Sequence, residues 1–276
     1  QLLPGRGETV GAQLTGDERV RGVMFTGSTE VATLLQRNIA SRLDAQGRPI
    51  PLIAETGGMN AMIVDSSALT EQVVIDVLAS AFDSAGQRCS ALRVLCLQDE
   101  IADHTLKMLR GAMAECRMGN PGRLTTDIGP VIDSEAKANI ERHIQTMRSK
   151  GRQVFQAVRE NSEDAREWQS GTFVAPTLIE LDDFAELQKE VFGPVLHVVR
   201  YNRNQLPELI EQINASGYGL TLGVHTRIDE TIAQVTGSAQ VGNLYVNRNM
   251  VGAVVGVQPF GGEGLSGTGP KAGGPL

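Results

Sequence analysis

The sequence predicts a layered α/β protein whose sheet is largely parallel. Short apolar segments of strand character alternate along the chain with longer segments in which apolar residues recur at helical spacing, as in folds whose helices cover a parallel sheet. The 276 residues are 41% hydrophobic and 21% charged, the ordinary balance of a globular protein that buries one large core or two modest ones. We find no internal repeat or low-complexity tract.

The first half of the chain supplies the clearest alternation. Strands are expected at residues 20–25, 52–55, 60–64 and 93–97. A helix is expected to follow residues 26–29 and end at 39, with further helices at 67–84, 102–115 and 134–149. Apolar spacing is most regular in 67–84, where Ser67 is the expected N-cap and Glu71 lies near the first turn.

The second half opens with a hydrophilic stretch at residues 151–172. Within it, residues 159–167 are expected to form an exposed loop or edge hairpin with local mobility. Strands are then expected at 173–179, 195–201, 219–225 and 242–247, with helices at 205–213 and 228–236.

Composition excludes several classes of partner. The net charge of -7 and a pI near 5.2, with basic residues scattered along the chain, argue against nucleic-acid binding. The longest apolar stretches, such as residues 251–257, are too short to span a bilayer, and no apolar leader opens the sequence. We expect a soluble cytoplasmic protein without membrane insertion. Both ends look cut, so a fragment of a longer protein is expected.

Cys89 is the candidate nucleophile. It lies between a predicted helix end and a strand, directly after Arg88, whose charge is expected to lower the pKa of the thiol. The alternative is a buried structural cysteine, which is our interpretation of Cys96 and Cys116. With three cysteines and no Cys-x-x-Cys pair, we expect no disulfide framework and no metal site, and a reducing compartment fits.

Glu55 is the candidate general base. It ends an apolar strand and is followed by Thr56 and two glycines. A carboxylate in that position is expected to be partly desolvated, with a raised pKa, as a general base requires. The alternative is a solvated turn residue.

Six ordered motifs resemble the aldehyde dehydrogenase superfamily across nearly the whole chain. They are FTGSTEV (25–31), ETGG (55–58), GQRC (86–89), GPVI (129–132), EVFGPV (190–195) and PFGG (259–262). Within that superfamily, residues 87–93 and the tail from 258 to 275 are most similar to the pyrroline-5-carboxylate dehydrogenase domain of bifunctional proline utilization A proteins.

The resemblance implies NAD-dependent oxidation of an aldehyde. Cys89 would attack the aldehyde carbon, hydride would pass to the nicotinamide, and Glu55 would activate the water that hydrolyses the resulting thioester. The Cys89 backbone N–H would hold the oxyanion together with an asparagine that lies, in the family, upstream of this chain. Gly27 and Ser28, which open a helix, would face the cofactor pyrophosphate, while Glu190 and Phe192 would contact its nicotinamide half.

The resemblance also implies a substrate, L-glutamate 5-semialdehyde, which would be oxidised to L-glutamate in proline catabolism. Gly252 and Ala253 would anchor its carboxylate through backbone N–H groups. Ser90 would add a hydroxyl, Phe260 would pack on the aliphatic chain, and Arg88 would add charge. Read without the family, residues 251–256 form a tight apolar turn, Glu190 is a surface carboxylate and Phe192 belongs to the core.

The resemblance divides the chain into three segments. Residues 1–57 would be the C-terminal part of a Rossmann-type NAD-binding domain, 58–259 the catalytic α/β domain and 260–276 a segment that returns to the substrate site. The resembling proteins carry FAD in an upstream proline dehydrogenase domain, not in this part, and can associate peripherally with membranes. A homo-oligomer is expected for the intact protein, and little NAD binding or turnover for this chain alone.

Three alternatives stay open. The chain would act on another aldehyde, or be a catalytically silent folding or interaction unit, or be a cysteine hydrolase. The last requires a histidine base, and the candidates are poorly placed: His104 and His143 lie on predicted polar helix faces, and His197 and His225 within strands.

Overall fold

A computed structural model describes residues 1–157, 170–254 and 256–269. Its strands are β1 (Val23–Thr26), β2 (Leu52–Glu55), β3 (Ala61–Val64), β4 (Val94–Gln98), β5 (Val154–Gln156), β6 (Thr177–Leu181), β7 (Val195–Tyr201), β8 (Tyr218–Gly219), β9 (Thr221–His225), β10 (Asn243–Val246) and β11 (Glu263–Gly264). Its helices are α1 (Ala12–Gly16), α2 (Thr29–Ile39), α3 (Thr70–Phe82), α4 (Asp99–Glu115), α5 (Ser134–Ser149), α6 (Leu206–Ala215) and α7 (Asp229–Ser238).

A seven-stranded sheet forms the centre of the molecule, in the order β10-β9-β3-β4-β7-β6-β5. Its strand pairs are parallel except for β5, which runs antiparallel to β6. Every residue of β3 and β4 is buried, as expected of central strands covered on both faces. The predicted α/β fold with a largely parallel sheet is confirmed.

Helices pack on this sheet through their apolar residues. In α3, Val73, Val77 and Phe82 are buried, and each adds about 1.5–3 kcal/mol of hydrophobic stabilisation relative to exposure. At the start of α5 the Asp133 carboxylate accepts a hydrogen bond from the Ala136 N–H at 2.8 Å, which satisfies a donor that the helix itself leaves unpaired.

The first part of the chain forms a much smaller sheet. Strands β1 and β2 pair in parallel with each other, and Thr26 lies opposite Glu55. The tail then returns along β2, where the Thr268 N–H donates to the Ala54 carbonyl at 2.9 Å. Within the described ranges, these two strands join no larger sheet.

Several predicted elements have their expected bounds, and others are displaced for identifiable reasons. β2, β7 and α5 occupy the predicted residues. The strand expected at 173–179 begins instead at Thr177, because Pro176 has no N–H to donate while the Thr177 N–H reaches the Pro194 carbonyl at 2.9 Å. The strand expected at 219–225 is divided, since Gly219 pairs with Glu263 of β11 and the main sheet begins at Thr221.

Other sequence predictions were incomplete or wrong. Ser67 is not the N-cap of α3, because Leu69 holds that position and the Ser67 hydroxyl donates to Asp65 at 2.6 Å. Helix α1 and strands β5 and β11 were not predicted. The expected loop at 159–167 lies outside the described residues, and the division of the chain at 57 and 259 stays a prediction.

No helix in the described ranges is long and apolar enough to cross a bilayer.

Candidate active site

One cavity of about 820 Å³ brings the predicted site residues together. Every residue that we assigned to catalysis, cofactor or substrate lines it, except Glu55: Gly27, Ser28, Arg88, Cys89, Ser90, Glu190, Phe192, Gly252, Ala253 and Phe260. The lining also contains residues to which the sequence assigned no role: Thr26, Thr29, Glu30, Thr56, Gly57, Gln87, Lys189, Tyr218, Val254 and Gln258. Residues far apart in sequence therefore meet at one site.

The candidate nucleophile, Cys89, follows an unusual turn at the end of α3. Ser84, Ala85 and Gly86 all have left-handed backbone angles, with φ of 56°, 54° and 66°. Two of these residues carry a Cβ, so the turn is strained and needs surrounding contacts to hold it. Gln87 provides some of them, since its side chain donates to the Ser84 carbonyl at 3.1 Å and accepts from the Ile132 N–H at 2.8 Å.

The Cys89 thiol lies in the cavity with a raised pKa. Burial is the main cause, and the negative charge of Glu190 adds to it, while the N–H of Ser90 opposes the shift. The prediction that Arg88 lowers this pKa is wrong, because the exposed Arg88 side chain donates to the Ser84 hydroxyl at 3.0 Å and burial of the thiol dominates. Burial and contacts in space, not the neighbour in sequence, set the direction of this pKa shift.

Glu55 ends β2 beside the cavity, although it does not line it. Its carboxylate accepts from the Gly262 N–H at 3.3 Å. The tail passes close by, so that a Cβ on Gly267 would come within 2.9 Å of the carboxylate. The charge of Glu55 nevertheless contributes to the raised pKa of Cys89.

A buried amide that we did not predict fixes the backbone around Cys89. Asn60 donates to the carbonyls of Cys89 and Ala91 at 2.6 and 2.8 Å, and its carbonyl oxygen accepts from the Thr221 N–H at 3.2 Å. A Cβ on Gly58 would overlap this amide. The only sequence signal was a polar residue at the start of a buried strand, two positions after the paired glycines.

Glu190 and Phe192 lie on the opposite wall, held by Arg93. The Arg93 guanidinium donates to the Glu190 carboxylate at 2.9 and 3.1 Å and lies 5.1 Å from the centre of the Phe192 ring. Burial raises the pKa of Glu190, and Arg93 opposes that shift. A Cβ on Gly57 would overlap the Glu190 carboxylate, which explains the glycine there.

The N-terminus of α2 also faces the cavity. Ser28 is its N-cap and accepts from the Val31 N–H at 3.2 Å. The first turn of an 11-residue helix leaves further N–H groups without a partner inside the helix, and the helix dipole makes this end attractive to anions. Tyr218, from β8, hydrogen-bonds Thr29 in that first turn.

The remaining wall comes from the loop after β10. Gly252 has φ of +83°, a conformation that favours glycine. Gln258 donates to the Tyr245 hydroxyl at 3.1 Å, which fixes the loop's return to Phe260. Ala253 and Phe260 are half-buried.

None of the four histidines, all of which are described, lines this cavity. His197 is buried, its pKa is lowered to about 3, and its Nε2 lies 2.9 Å from that of His143. The expectation that His143 occupies a polar helix face is wrong, because this contact draws it against the sheet. Cys96 is also buried, with a pKa raised to about 12, in agreement with a structural role. Among the described residues we find no cluster of three side chains suited to a metal ion.

Comparisons with known proteins identify the family of this chain. The chain matches the aldehyde dehydrogenase family over residues 1–275. The bifunctional protein PutA of Escherichia coli (strain K12) is 99% identical over 276 residues, which are 100% of this chain and 21% of that protein. A crystal structure of a bifunctional proline utilization A (PutA) protein is 52% identical, with a TM-score of 0.90, over 98% of this chain and 26% of that one.

A second solved structure contains a cofactor. The 1-pyrroline-5-carboxylate dehydrogenase from Thermus with bound NAD is 36% identical, with a TM-score of 0.84, over 96% of this chain and 50% of that one. The chain thus spans about a fifth of the curated PutA protein and half of the Thermus enzyme. It belongs to the aldehyde dehydrogenase family.

Proposed function

We propose that this aldehyde dehydrogenase chain carries the catalytic centre for NAD-dependent oxidation of L-glutamate 5-semialdehyde to L-glutamate, a step of proline catabolism. The observation that carries the proposal is the single cavity in which Cys89 meets the candidate cofactor and substrate residues. Its relatives named for proline utilization and for 1-pyrroline-5-carboxylate dehydrogenase support this choice of substrate.

The residues present fit the nicotinamide half of NAD. The N-terminus of α2, with Ser28 as its cap, suits the cofactor's phosphates. Glu190 offers a carboxylate that suits ribose hydroxyls, and the Phe192 ring, 45% exposed in the cavity, offers an apolar face to the nicotinamide. The NAD bound to the Thermus relative supports this cofactor.

The first chemical step is attack of the Cys89 thiolate on the aldehyde carbon. The developing oxyanion needs preorganised donors, and the Cys89 backbone N–H, on the loop that Asn60 fixes, is the donor that this chain supplies. The chemistry that NAD supplies when bound is acceptance of a hydride from the thiohemiacetal carbon, which leaves a thioester on Cys89.

Hydrolysis of the thioester is assigned to Glu55. A general base must reach its water within hydrogen-bonding distance, yet the Glu55 carboxylate contacts the Gly262 N–H outside the cavity lining. We propose that the side chain leaves Gly262 and rotates toward Cys89 to take the proton from water. Its electrostatic effect on the Cys89 thiol supports this proximity.

The substrate's carboxylate is assigned to the wall opposite the cofactor. There the backbone N–H groups of Gly252 and Ala253 present donors, Ser90 and Arg88 add a hydroxyl and a positive charge, and Phe260 covers the aliphatic chain. Donors aimed at a carboxylate discriminate strongly against an analogue that lacks it, because they are then left unpaired.

This chain by itself is proposed to bind NAD poorly. Met24 of β1 is 80% exposed and Ile53 of β2 is 42% exposed, so the small sheet beneath the cofactor site lacks a covering layer. We propose that the longer protein, cytoplasmic and a homo-oligomer, completes it, with FAD confined to another domain. Activity is therefore best measured in full-length PutA of Escherichia coli, at the positions that match this chain.

Ala253 offers the sharpest test of the substrate. Replacement of Gly252 would also strain its left-handed backbone, whereas Ala253→Leu changes only the volume that the substrate meets. We expect NADH formation from glutamate 5-semialdehyde to show KM raised at least about tenfold, the effect of losing one or two good hydrogen bonds. Turnover of pentanal, which has no carboxylate, should change far less.

Val257→Leu is the matched control, since Val257 is 72% exposed and does not line the cavity. Equal effects of Ala253→Leu on both aldehydes, or no effect on either, would contradict the assignment of Gly252 and Ala253 to the substrate's carboxylate. NADH formation by this chain alone addresses the silent-fragment alternative, which robust turnover would remove.

A further inference from the structure

We propose that Arg93 is a positioning residue that locks the turn before Cys89 to the proposed cofactor-binding segment and places a positive charge beside the peptide group that joins Arg88 to Cys89. The sequence places Arg93 at the end of a motif in which only Arg88, Cys89 and Ser90 received roles. The inference rests on the proposed function where it treats the segment around Glu190 as cofactor-binding. The effect of Arg93 on the Cys89 thiol does not depend on that function.

The guanidinium of Arg93 is buried, with 1% of the side chain exposed, and its donors reach two separate segments. Toward the nucleophile turn, Nη1 donates to the Gly86 carbonyl at 2.7 Å and Nη2 to the Arg88 carbonyl at 3.0 Å. Toward the cofactor segment, Nη1 donates to the Gly193 carbonyl at 3.3 Å, while Nε and Nη2 donate to Glu190. One side chain thus connects residues 86–88 with residues 190–193.

The two segments need such a connection because they meet backbone to backbone. A Cβ on Gly86 would overlap the Gly193 carbonyl. The carbonyls of Gly86 and Gly193 also accept from the same nitrogen of Arg93, Nη1. Two carbonyl oxygens in that position repel each other unless a donor lies between them. The left-handed angles of Ser84 and Ala85 add strain of about 1–3 kcal/mol each, which Arg93 helps to hold.

The backbone of Arg93 is itself anchored in the main sheet. Its N–H donates to the Asn60 carbonyl at 2.9 Å, and its carbonyl accepts from the His197 N–H at 2.9 Å. His197 Nδ1 lies 3.2 Å from the same carbonyl. Arg93 therefore holds the turn that carries Cys89 in a fixed position relative to β4 and β7.

The charge of Arg93 also acts on the thiol. Glu190 and Glu55 raise the pKa of Cys89, and Cys89 in turn raises the pKa of Arg93, whose Nη2 donates to the carbonyl of Arg88, the residue directly before Cys89. Electrostatic effects between two groups are reciprocal, so Arg93 favours the thiolate. Arg88, by contrast, is exposed and bonded to Ser84.

Alkylation of Cys89 by iodoacetamide as a function of pH, followed by mass spectrometry of its peptide, tests the charge in this chain without any aldehyde. We expect Arg93→Met to raise the midpoint by about one pH unit or more, since an opposite charge at close range shifts a pKa by about 1–3 units. Glu190→Gln should lower the midpoint. Arg152→Met, which removes a cation bonded to Glu186 on another part of the sheet, should leave it unchanged.

Arg93→Lys tests positioning, because it keeps the charge and loses the branched set of donors. Its alkylation midpoint should stay within about half a pH unit of wild type, while kcat of the matching variant of full-length PutA falls at least about tenfold. A midpoint for Arg93→Met equal to that of Arg152→Met would overturn the charge role. If Arg93→Met does not fold, an unchanged midpoint in Arg93→Gln overturns the charge role. An unchanged kcat in Arg93→Lys overturns the positioning role.

Discussion

The two walls of the cavity differ in how they are supported. Behind the wall that contains Cys89, Asn60 and Arg93 directly precede β3 and β4, whose residues are all buried within a seven-stranded sheet. Gly27 and Ser28 directly follow β1 of the two-stranded sheet, in which no residue of β1 and only Ala54 of β2 is buried. The candidate nucleophile is therefore held by a complete core, while the helix proposed to bind the cofactor depends on few contacts.

This contrast shows that a sequence can contain all the motifs of a family site while a complete core supports only one side of that site. The tail makes the contacts that tie β2 to the rest, through Thr268 with Ala54 and Gly262 with Glu55. Regions with few buried contacts open at low free-energy cost. We therefore expect residues 1–57 to open far more often than the main sheet.

The largest expected difference between the regions is the stability lost when a leucine is truncated to alanine. Leu95 of β4 is fully buried, whereas Leu34 of α2 is 55% exposed. Leu95→Ala should cost about 2–5 kcal/mol in the free energy of unfolding, because it removes apolar contacts and leaves a cavity. Leu34→Ala should cost less than about 1 kcal/mol. Urea denaturation measures both, and equal losses would break the comparison.

The next largest effect is the loss of folding stability at acidic pH. His197 is buried and neutral with its pKa lowered to about 3, so the unfolded chain takes up a proton first as the pH falls below about 6.5. Stability from this residue is thus present at neutral pH and lost as the pH falls from about 6.5 toward 3, at up to about 1.4 kcal/mol per pH unit.

Urea midpoints at pH 7.5, 6 and 5 measure this slope. His197→Gln should flatten it, whereas His104→Gln on the exposed surface of α4 should not. The same slope in His197→Gln and wild type would show that the main sheet is not the acid-sensitive region.

The smallest expected effect on stability is in helix α2, on the proposed cofactor side of the cavity. Ser28→Ala removes the cap of α2 and should cost about 0.5–2 kcal/mol, which Ser28→Thr should largely retain. Because we expect this region to open by itself, amide hydrogen exchange should accelerate in residues 29–39 and not in β3 or β4. Equal acceleration in both regions would mean that they unfold together.

Sequence patterns predicted those parts of the fold that local chemistry controls. The apolar periodicity of α5 and the buried run of β7 had the predicted bounds. β5 and β11 were missed because strands of three and two residues carry almost no pattern and depend on partners elsewhere. The displaced start of β6 follows from Pro176, a signal that the sequence contained and that we did not weigh.

The candidate site was predictable as a set of motifs but not as a set of interactions. Motif order identified the residues around Cys89, and all but Glu55 line the cavity. The sign of the Cys89 pKa shift was not predictable, because it depends on burial and on Glu190, about a hundred residues away in sequence. Arg93 and Asn60 were missed for the same reason, since each has a partner that is distant in sequence: Glu190 and Gly193 for Arg93, and Cys89 and Ala91 for Asn60.

The most direct test of the account is the covalent state of Cys89 when Glu55 cannot act as a base. Full-length PutA of Escherichia coli with the change that matches Glu55→Gln would be mixed with NAD and glutamate 5-semialdehyde, quenched with acid and digested for mass spectrometry. We predict an acyl adduct on the Cys89 peptide that accumulates as turnover falls by about 10²–10⁴-fold, is only transient in wild type and is retained in a Cys116→Ala background. Undiminished turnover in Glu55→Gln, or an adduct on any residue other than Cys89, would contradict the assignment of nucleophile and base.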